Sequence, residues 1–292
     1  MRNNWNEVYA NQKVVLKTLA VVDEIFLAGG TAVQCYLLKK KYRESEDLDF
    51  FIDHEMSSKE SSKLARKIIA LLTKNEQLHT IRHKKSEDGT ARIFCSVGDS
   101  LEVIKIELLN FTADRFTDLD FLVHEDFPRI ENPYNLLLYK LKALCDRTDT
   151  IKDLFDIYFL FKILKPINLK QMLLDLEFKF LETTAYVYDS ERIINALNIA
   201  RRWDITLTDD SKIHHAMKEA IIQFQNDFAS TLLLAPKELD FSYESYLNQK
   251  MQENACEKAE DYLSFFEANM FLEREIKDIL FTINSQYYMP NS

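Results

Sequence analysis

The chain has 292 residues, 47% of them hydrophobic, with a formal charge of -10 and only 4 Gly, 5 Pro and 4 Cys. Such a length buries a large core and lies near the point where one core divides into two domains, while so little Gly and Pro excludes collagen-like and low-complexity architectures and favours long helices. Cys35, Cys95, Cys145 and Cys256 stand far apart with no CxxC pair, which speaks against a disulfide framework or a structural zinc site and fits a reducing cytoplasm.

Lys13, Lys17 and Asp23 interrupt the apolar positions of the first stretch, so no signal-peptide core is expected there. The longest uncharged runs, such as Ile25 to Leu38, fall short of the ~18 residues a membrane span needs. A soluble cytoplasmic protein is the expectation. The acidic balance argues against a polyanionic partner, but it is uneven: residues 1–127 hold 18 basic against 21 acidic side chains, and residues 128–292 hold 19 against 26. The first part also gathers bases in KKKYR (Lys39 to Arg43) and RHKK (Arg82 to Lys85), runs that are ordinarily solvated faces and alternatively touch nucleic acid.

In chain order, residues 12–22 read as a helix and EIFLAGG as a short buried strand ending in glycines, after which TAVQCYLLKKK continues as a helix with Ala32, Cys35, Tyr36 and Lys39 at helical spacing. DLDFFID is a second strand. Ser57 or Ser58 caps the next helix, which runs to about Lys74 on a stripe of Leu64, Ile68, Leu71 and Leu72. LHTIRHKK and ARIFCSV form a hairpin about Asp88-Gly89, and a turn at GDS leads into LEVIKIELL. From Pro133 strand signals nearly vanish, and helices are expected at about 133–147, 150–164, 168–182, 189–203, 210–230 and 255–286. Pro128 and Pro133 flank a polar connection, which divides the chain into an α/β domain over 1–130 and an all-helical domain over 131–292.

Two features of the first part carry chemistry. A strand ending in Gly29-Gly30 and turning straight into a helix presents free backbone N–H groups to an anion, with Thr31 capping or donating to a phosphate oxygen; a tight turn needing glycine for structural reasons alone is the alternative. Asp47 and Asp49, two apart on a strand, project from one face about 7 Å apart, a spacing that suits divalent cations. The competing reading has one Asp capping a turn and the other pairing with Arg43. In LEVIKIELL, alternation puts Val103, Lys105, Glu107 and Leu109 on one face, so Glu107 reaches the aspartates if this strand lies beside DLDFFID; otherwise it is an edge-strand Glu facing water.

The order Gly29-Gly30-Thr31, a helix, then Arg43-Glu44-Ser45-Glu46-Asp47-Leu48-Asp49 resembles the active-site signature of the polymerase-β-like nucleotidyltransferases, and more closely their AbiEii/AbiGii toxin-type branch. A second block, YKLKALCDRTDTIKDLFDIYFL, is similar to that branch's K-L-x-A-L-x-x-R and its following pair of aspartates. The resemblance implies an α+β fold, with a nucleotidyltransferase-like mixed sheet and flanking helices followed by an all-helical C-terminal domain. It implies a triphosphate held at Gly29, Gly30 and Thr31, with Arg43 and Ser45 in the nucleotide site, and Mg²⁺ or Mn²⁺ on Asp47, Asp49 and Glu107. Where many members have Asp at the third position this chain offers Glu, one methylene longer. It further implies an NTP substrate, an RNA acceptor with the 3′ end of tRNA leading, and an antitoxin partner.

Within the second block, Lys140 and Arg147 share a helix face seven residues apart and both would point at nucleotide phosphates, while Asp153 and Asp156, three apart, either fix Arg147 by a salt bridge or join the site. Resemblance tips Lys140 towards the triphosphate and Asp153 or Asp156 towards the site. No GxSxG, HExxH, P-loop or GxGxxG occurs, His214-His215 diverge on a helix, and the aromatic runs IYFLF and YLSFF read as core. Two other readings stay open: a nucleotide-binding interaction protein without turnover on the same fold, and an enzyme that modifies a protein or a small molecule.

Overall fold

The computed structural model describes residues 4–234 apart from 55, 86–89, 111–120, 148, 165–166, 168, 182–187 and 209–210. The expected hairpin turn at Asp88-Gly89, the helix over 255–286 with YLSFF, and Cys256 therefore lie outside the described residues. These residues form two compact units, the first drawn from 1–115, 120–136 and 205–209, the second from 137–204 and from 210 onward.

The first unit is built on a five-stranded mixed sheet. Its strands are β1 (Ile25–Ala28), β2 (Asp47–Ile52), β3 (Leu78–Lys85), β4 (Ala91–Val97) and β5 (Ile104–Leu109), in the order β1-β2-β5-β4-β3. Only β2 and β5 run parallel; the other pairs are antiparallel. Alternation along β2 and β5 buries Leu48, Phe50, Ile52, Ile104, Ile106 and Leu108 on one face. Helices α1 (Trp5–Leu19) and α3 (Ser58–Lys74) pack on the sheet, α1 through Val15, Leu16 and Leu19 and α3 through Leu64, Ala65, Ile68 and Leu72. Of the two candidate caps it is Ser57 that starts α3: its hydroxyl accepts from Glu60 N–H at 3.3 Å, and Glu60 Oε2 accepts from Ser57 N–H at 3.0 Å, a reciprocal capping box. The outer edge of β1 is closed by residues 129–131, Leu27 N–H donating to Arg129 O (2.8 Å) and Leu27 O accepting from Glu131 N–H (2.9 Å).

Two local departures from the sequence expectation matter for the site. Helix α1 begins at Trp5, well before residue 12. The helix expected over TAVQCYLLKKK is instead a single α-turn, α2 (Gly29–Thr31), continued by a π-helix, Ala32–Leu37, closed by Leu38 N–H on Val33 O at 3.3 Å. Within this turn Gln34 is fully buried, and its Oε1 accepts from the backbone N–H groups of Tyr42 (3.2 Å) and Arg43 (3.3 Å).

Helix α1 grips the same segment from the other side. Gln12 Nε2 donates to Ser45 O (3.1 Å) and Glu46 O (3.0 Å), and the Tyr9 hydroxyl accepts from Ser45 N–H (3.1 Å) while donating to the Glu44 carboxylate. Burial, and then the bond to Glu44, push the Tyr9 phenol up, so it stays a donor at any physiological pH. Residues 42–46 precede the strand ladder, and these side chains supply the backbone partners that a ladder would otherwise give.

The second unit is helical: α4 (Pro133–Asp146, its first residues in unit one), α5 (Lys152–Ile163), α6 (Leu169–Leu181), α7 (Ser190–Ile199) and α8 (Ser211–Leu234). Helix α5 is buried on all sides from Asp153 to Phe161, and Tyr158 and Phe161 meet Phe224 and Phe228 of α8 edge-on at 5.0–5.5 Å. Helix α7 ends at Ile199, short of the expected 203, because the following residues pair elsewhere: Arg202 N–H donates to Asp149 O at 2.7 Å, and its own carbonyl accepts from Ile151 N–H at 2.9 Å. Among the described residues no helix is long and apolar enough to cross a membrane.

Removing the Tyr9 hydroxyl leaves the buried Ser45 N–H without its acceptor, so Tyr9→Phe is expected to lower the urea unfolding free energy by about 1–3 kcal/mol. An unchanged midpoint and slope would mean that the segment is held by other contacts.

Candidate active site

The glycine pair is explained by what lies against it. Gly29 has φ +68°, and a Cβ there would overlap the carboxylate of Asp49. A Cβ on Gly30 would run into the Arg43 guanidinium and come within 2.9 Å of Ser45 Oγ. Both glycines thus admit the later motif: β1 and β2 pair antiparallel with Ala28 opposite Asp49, and the turn after Ala28 folds back over that residue. Thr31, 1% exposed, donates its hydroxyl to Asp47 O (2.5 Å) and lies 3.0 Å from Ser45 Oγ. Arg43 is buried too, with Nη1 donating to Glu44 O at 3.0 Å. Gly29, Gly30, Thr31, Arg43 and Ser45 are therefore brought together as one interlocked turn, and the hydroxyl of Thr31 is engaged inside the protein rather than at a helix cap.

On the face of the sheet opposite the apolar one, Asp47 and Asp49 stand beside β5 in the register Asp47–Lys105 and Asp49–Glu107. The edge-strand alternative for Glu107 does not arise, since β5 lies between β2 and β4. The residue that sequence reasoning passes over is Lys105. Its Nζ is 2.8 Å from Asp47 Oδ2 and 3.4 Å from Glu107 Oε1, so an ammonium lies between two of the three carboxylates. Partial burial opposes that charge, but the hydrogen bond and charge of Asp47, with the charge of Glu107, outweigh it and hold the Lys105 pKa above the ordinary lysine value. Arg92 Nε adds a bond to Glu107 Oε1 at 2.6 Å. The face is solvent-accessible, with side chains 26% (Asp47), 30% (Lys105) and 16% (Glu107) exposed. Among the described residues no three His, Cys, Asp or Glu side chains are arranged as a metal-binding group.

The fit to a hard divalent cation rests on the donor set: carboxylate oxygens on one face, already gathered around a cation. Mg²⁺ commonly uses one or two carboxylates and takes its remaining ligands from water and phosphate, and Asp47 and Asp49 supply that number. Glu107 is more heavily engaged, holding both Lys105 and Arg92.

Lys140, Arg147, Asp153 and Asp156 are brought together in the second unit. Lys140 Nζ lies 2.9 Å from Asp153 Oδ1 and 2.8 Å from Asp156 Oδ2, and Arg147 Nη1 lies 3.1 Å from Asp153 Oδ2. Lys140 is 8% exposed and both carboxylates 0%, so this is a buried ion cluster between α4 and α5. The loop joining these helices passes through Asp149 at φ +68°, whose carbonyl accepts from the N–H groups of Arg201 (2.8 Å) and Arg202 (2.7 Å).

Two substitutions separate these roles. Gly29→Ala is expected to destabilise clearly more than Gly98→Ala, because both have positive φ but a Cβ at residue 98 meets nothing within 4 Å; equal melting temperatures would remove the Asp49 contact as the reason for the glycine. Lys140→Met leaves two buried carboxylates facing each other and is expected to cost about 3–5 kcal/mol in urea unfolding, where a loss below about 1 kcal/mol would show that the cluster is not structural.

Comparison with known proteins adds to this geometry. The chain resembles the crystal structure of a nucleotidyltransferase from H. pylori described there as putative (19% identity, 82% of this chain and 100% of that one, TM-score 0.47). It also resembles JHP933 from Helicobacter pylori (18% identity, 87% and 100%, TM-score 0.46). MenT4, a nucleotidyltransferase toxin from Mycobacterium tuberculosis H37Rv, shares its fold at TM-score 0.52 and 14% identity over 95% of this chain and 92% of that one. Curated proteins give no match. The family described as "Nucleotidyl transferase AbiEii toxin, Type IV TA system" matches residues 16–233, most of the chain and all of the interlocked turn and both charge clusters, so the chain belongs to the AbiEii nucleotidyltransferase toxin family.

Proposed function

We propose that this nucleotidyltransferase transfers a nucleoside monophosphate from an NTP to a hydroxyl of RNA, the 3′ end of tRNA being the leading candidate, with Mg²⁺ or Mn²⁺ held by Asp47 and Asp49. The observation that carries this reading is the contact of the Asp49 carboxylate with the Cα of Gly29, which fixes one aspartate against the turn and leaves Asp47 on the same face. The cation would lower the pKa of the attacking hydroxyl and neutralise charge on the leaving pyrophosphate. The chain's own contribution is placement. The turn at residues 29–31 sets Asp49, the Thr31 bond to Asp47 O sets the backbone of its neighbour, and α1 holds residues 44–46.

Lys105 gives the pair a resident counter-charge before substrate arrives. When the cation binds, the ammonium leaves Asp47 and keeps Glu107, the third carboxylate of the proposed site, within its reach. Lys140, Arg147, Asp153 and Asp156 serve the nucleotide in this reading, with Arg147, 55% exposed, the member of the cluster accessible to a phosphate. Action in the cytoplasm under an antitoxin completes the proposal, and the family's type IV toxin–antitoxin description supports it.

Transfer of α-³²P label from each NTP into total RNA and into protein tests the reading. Asp47→Asn and Asp49→Asn are each expected to reduce labelling of RNA at least about a hundredfold, the scale of losing one electrostatic element of a transfer site, with little change in the thermal melt. Undiminished transfer in either variant removes that aspartate from the site. Label appearing in protein alone would replace RNA as the acceptor.

A further inference from the structure

The strand register lays two rows across the open face of the sheet. One runs Asp49, Glu107, Arg92, Lys84, and the other Asp47, Lys105, Phe94, Arg82. Adjacent strands lie about 4.8 Å apart, so Lys84 stands roughly 14 Å from Asp49. Charge changes sign along the way. It is acidic on β2, mixed on β5, and on the β4 and β3 positions of the two rows only basic or aromatic.

We infer that this β4–β3 half of the face is where the RNA acceptor rests, its phosphates on Lys84 and Arg92 and a base against the Arg82–Phe94 pair. Arg82 and Lys84 are exposed, and among the described residues neither has an ion-pair partner. Arg92 is 61% exposed although its Nε is bonded to Glu107. The Arg82 guanidinium lies 4.3 Å over the Phe94 ring, which holds a planar cation flat on the sheet. Planar cations and rings are what unpaired RNA bases stack on, whereas an acidic peptide uses charge alone.

The other explanation of such charges is protection of an edge strand against unwanted pairing. It accounts for Lys84 on β3, the edge, but not for Arg92 on interior β4 or for the stacking of Arg82 on Phe94. A chain of net charge -10 has few such places, and this one adjoins the aspartates. The inference rests on the RNA-acceptor reading.

The test is the full chain carrying Arg82→Ala and Lys84→Ala together, neither of them part of the transfer site. Its affinity for a fluorescein-labelled hairpin RNA with a single-stranded 3′ tail is measured by anisotropy over a series of KCl concentrations, beside Lys84→Arg. The double variant is expected to bind at least about tenfold more weakly, with the salt slope reduced by about 1.4, while Lys84→Arg keeps the wild-type slope and ATP–Mg²⁺ binding stays unchanged in both. Unchanged RNA affinity and slope in the double variant, with wild type still labelling RNA, overturns the docking surface and leaves the acceptor reading intact. Wild type that neither binds nor labels RNA overturns both.

Discussion

The contact on which the site depends is between a backbone and a carboxylate: Asp49 occupies the volume that a side chain at residue 29 would fill. From it follow the positive φ of Gly29, the sharp turn after β1 and the antiparallel pairing that sets Ala28 opposite Asp49. Gly30 repeats the arrangement one residue later, with Arg43 and Ser45 in place of Asp49. The two glycines are therefore not independent of the acidic motif some twenty residues on; they are its other half. Everything packed around the turn serves to keep that approach in register. Thr31 fastens it to the Asp47 carbonyl, Gln34 of the π-helix fixes residues 42–43, and Tyr9 and Gln12 of α1 fix 44–46.

Helix α1 has a further interest because the family match begins at residue 16, whereas Tyr9 and Gln12 precede it. Asn11 and Glu7 extend the same helix towards the β4–β5 connection, Asn11 Nδ2 donating to Ser100 Oγ (2.8 Å) and Ser100 Oγ donating to Glu7 Oε1 (2.5 Å). One helix thus steadies the approach to β2 and the approach to β5, the two strands that carry the carboxylates. A parallel pair has no hairpin to fix its register, so these external ties take the part that a tight turn plays between antiparallel neighbours.

Much of this arrangement is legible in the amino-acid sequence. Alternation locates β2 to β5, the Ser57–Glu60 spacing locates the start of α3, and the glycine pair and the Asp47/Asp49 spacing locate the site. What sequence does not supply is neighbourhood. Period-two alternation says which face Lys105 and Glu107 share but not which strand lies alongside, and β2 and β5 are joined across more than fifty residues. For that reason the ammonium of Lys105 between Asp47 and Glu107 leaves no signal, although the residue itself is in plain view. The π-helix escapes for a related reason: its width answers to Gln34 reaching residues 42 and 43, a demand from outside the segment. The start of α1 lacks a signal because Asn4 makes no side-chain cap bond and the first buried apolar residue is Val8.

The two lysine–carboxylate clusters have the same chemistry and different solvent access, and that difference assigns their roles. Around Asp47 the ammonium of Lys105 is 30% exposed, so it exchanges Asp47 for water at modest cost when a divalent cation arrives, as an exposed ion pair does. Around Asp153 and Asp156 the carboxylates are fully buried, and withdrawing Lys140 would strand two charges out of water, a penalty of several kcal/mol. A cation that must come and go with each nucleotide therefore belongs with Asp47 and Asp49. The buried cluster is suited instead to holding α4 and α5 in register and presenting Arg147, whose own side chain reaches solvent while Asp153 anchors its Nη1.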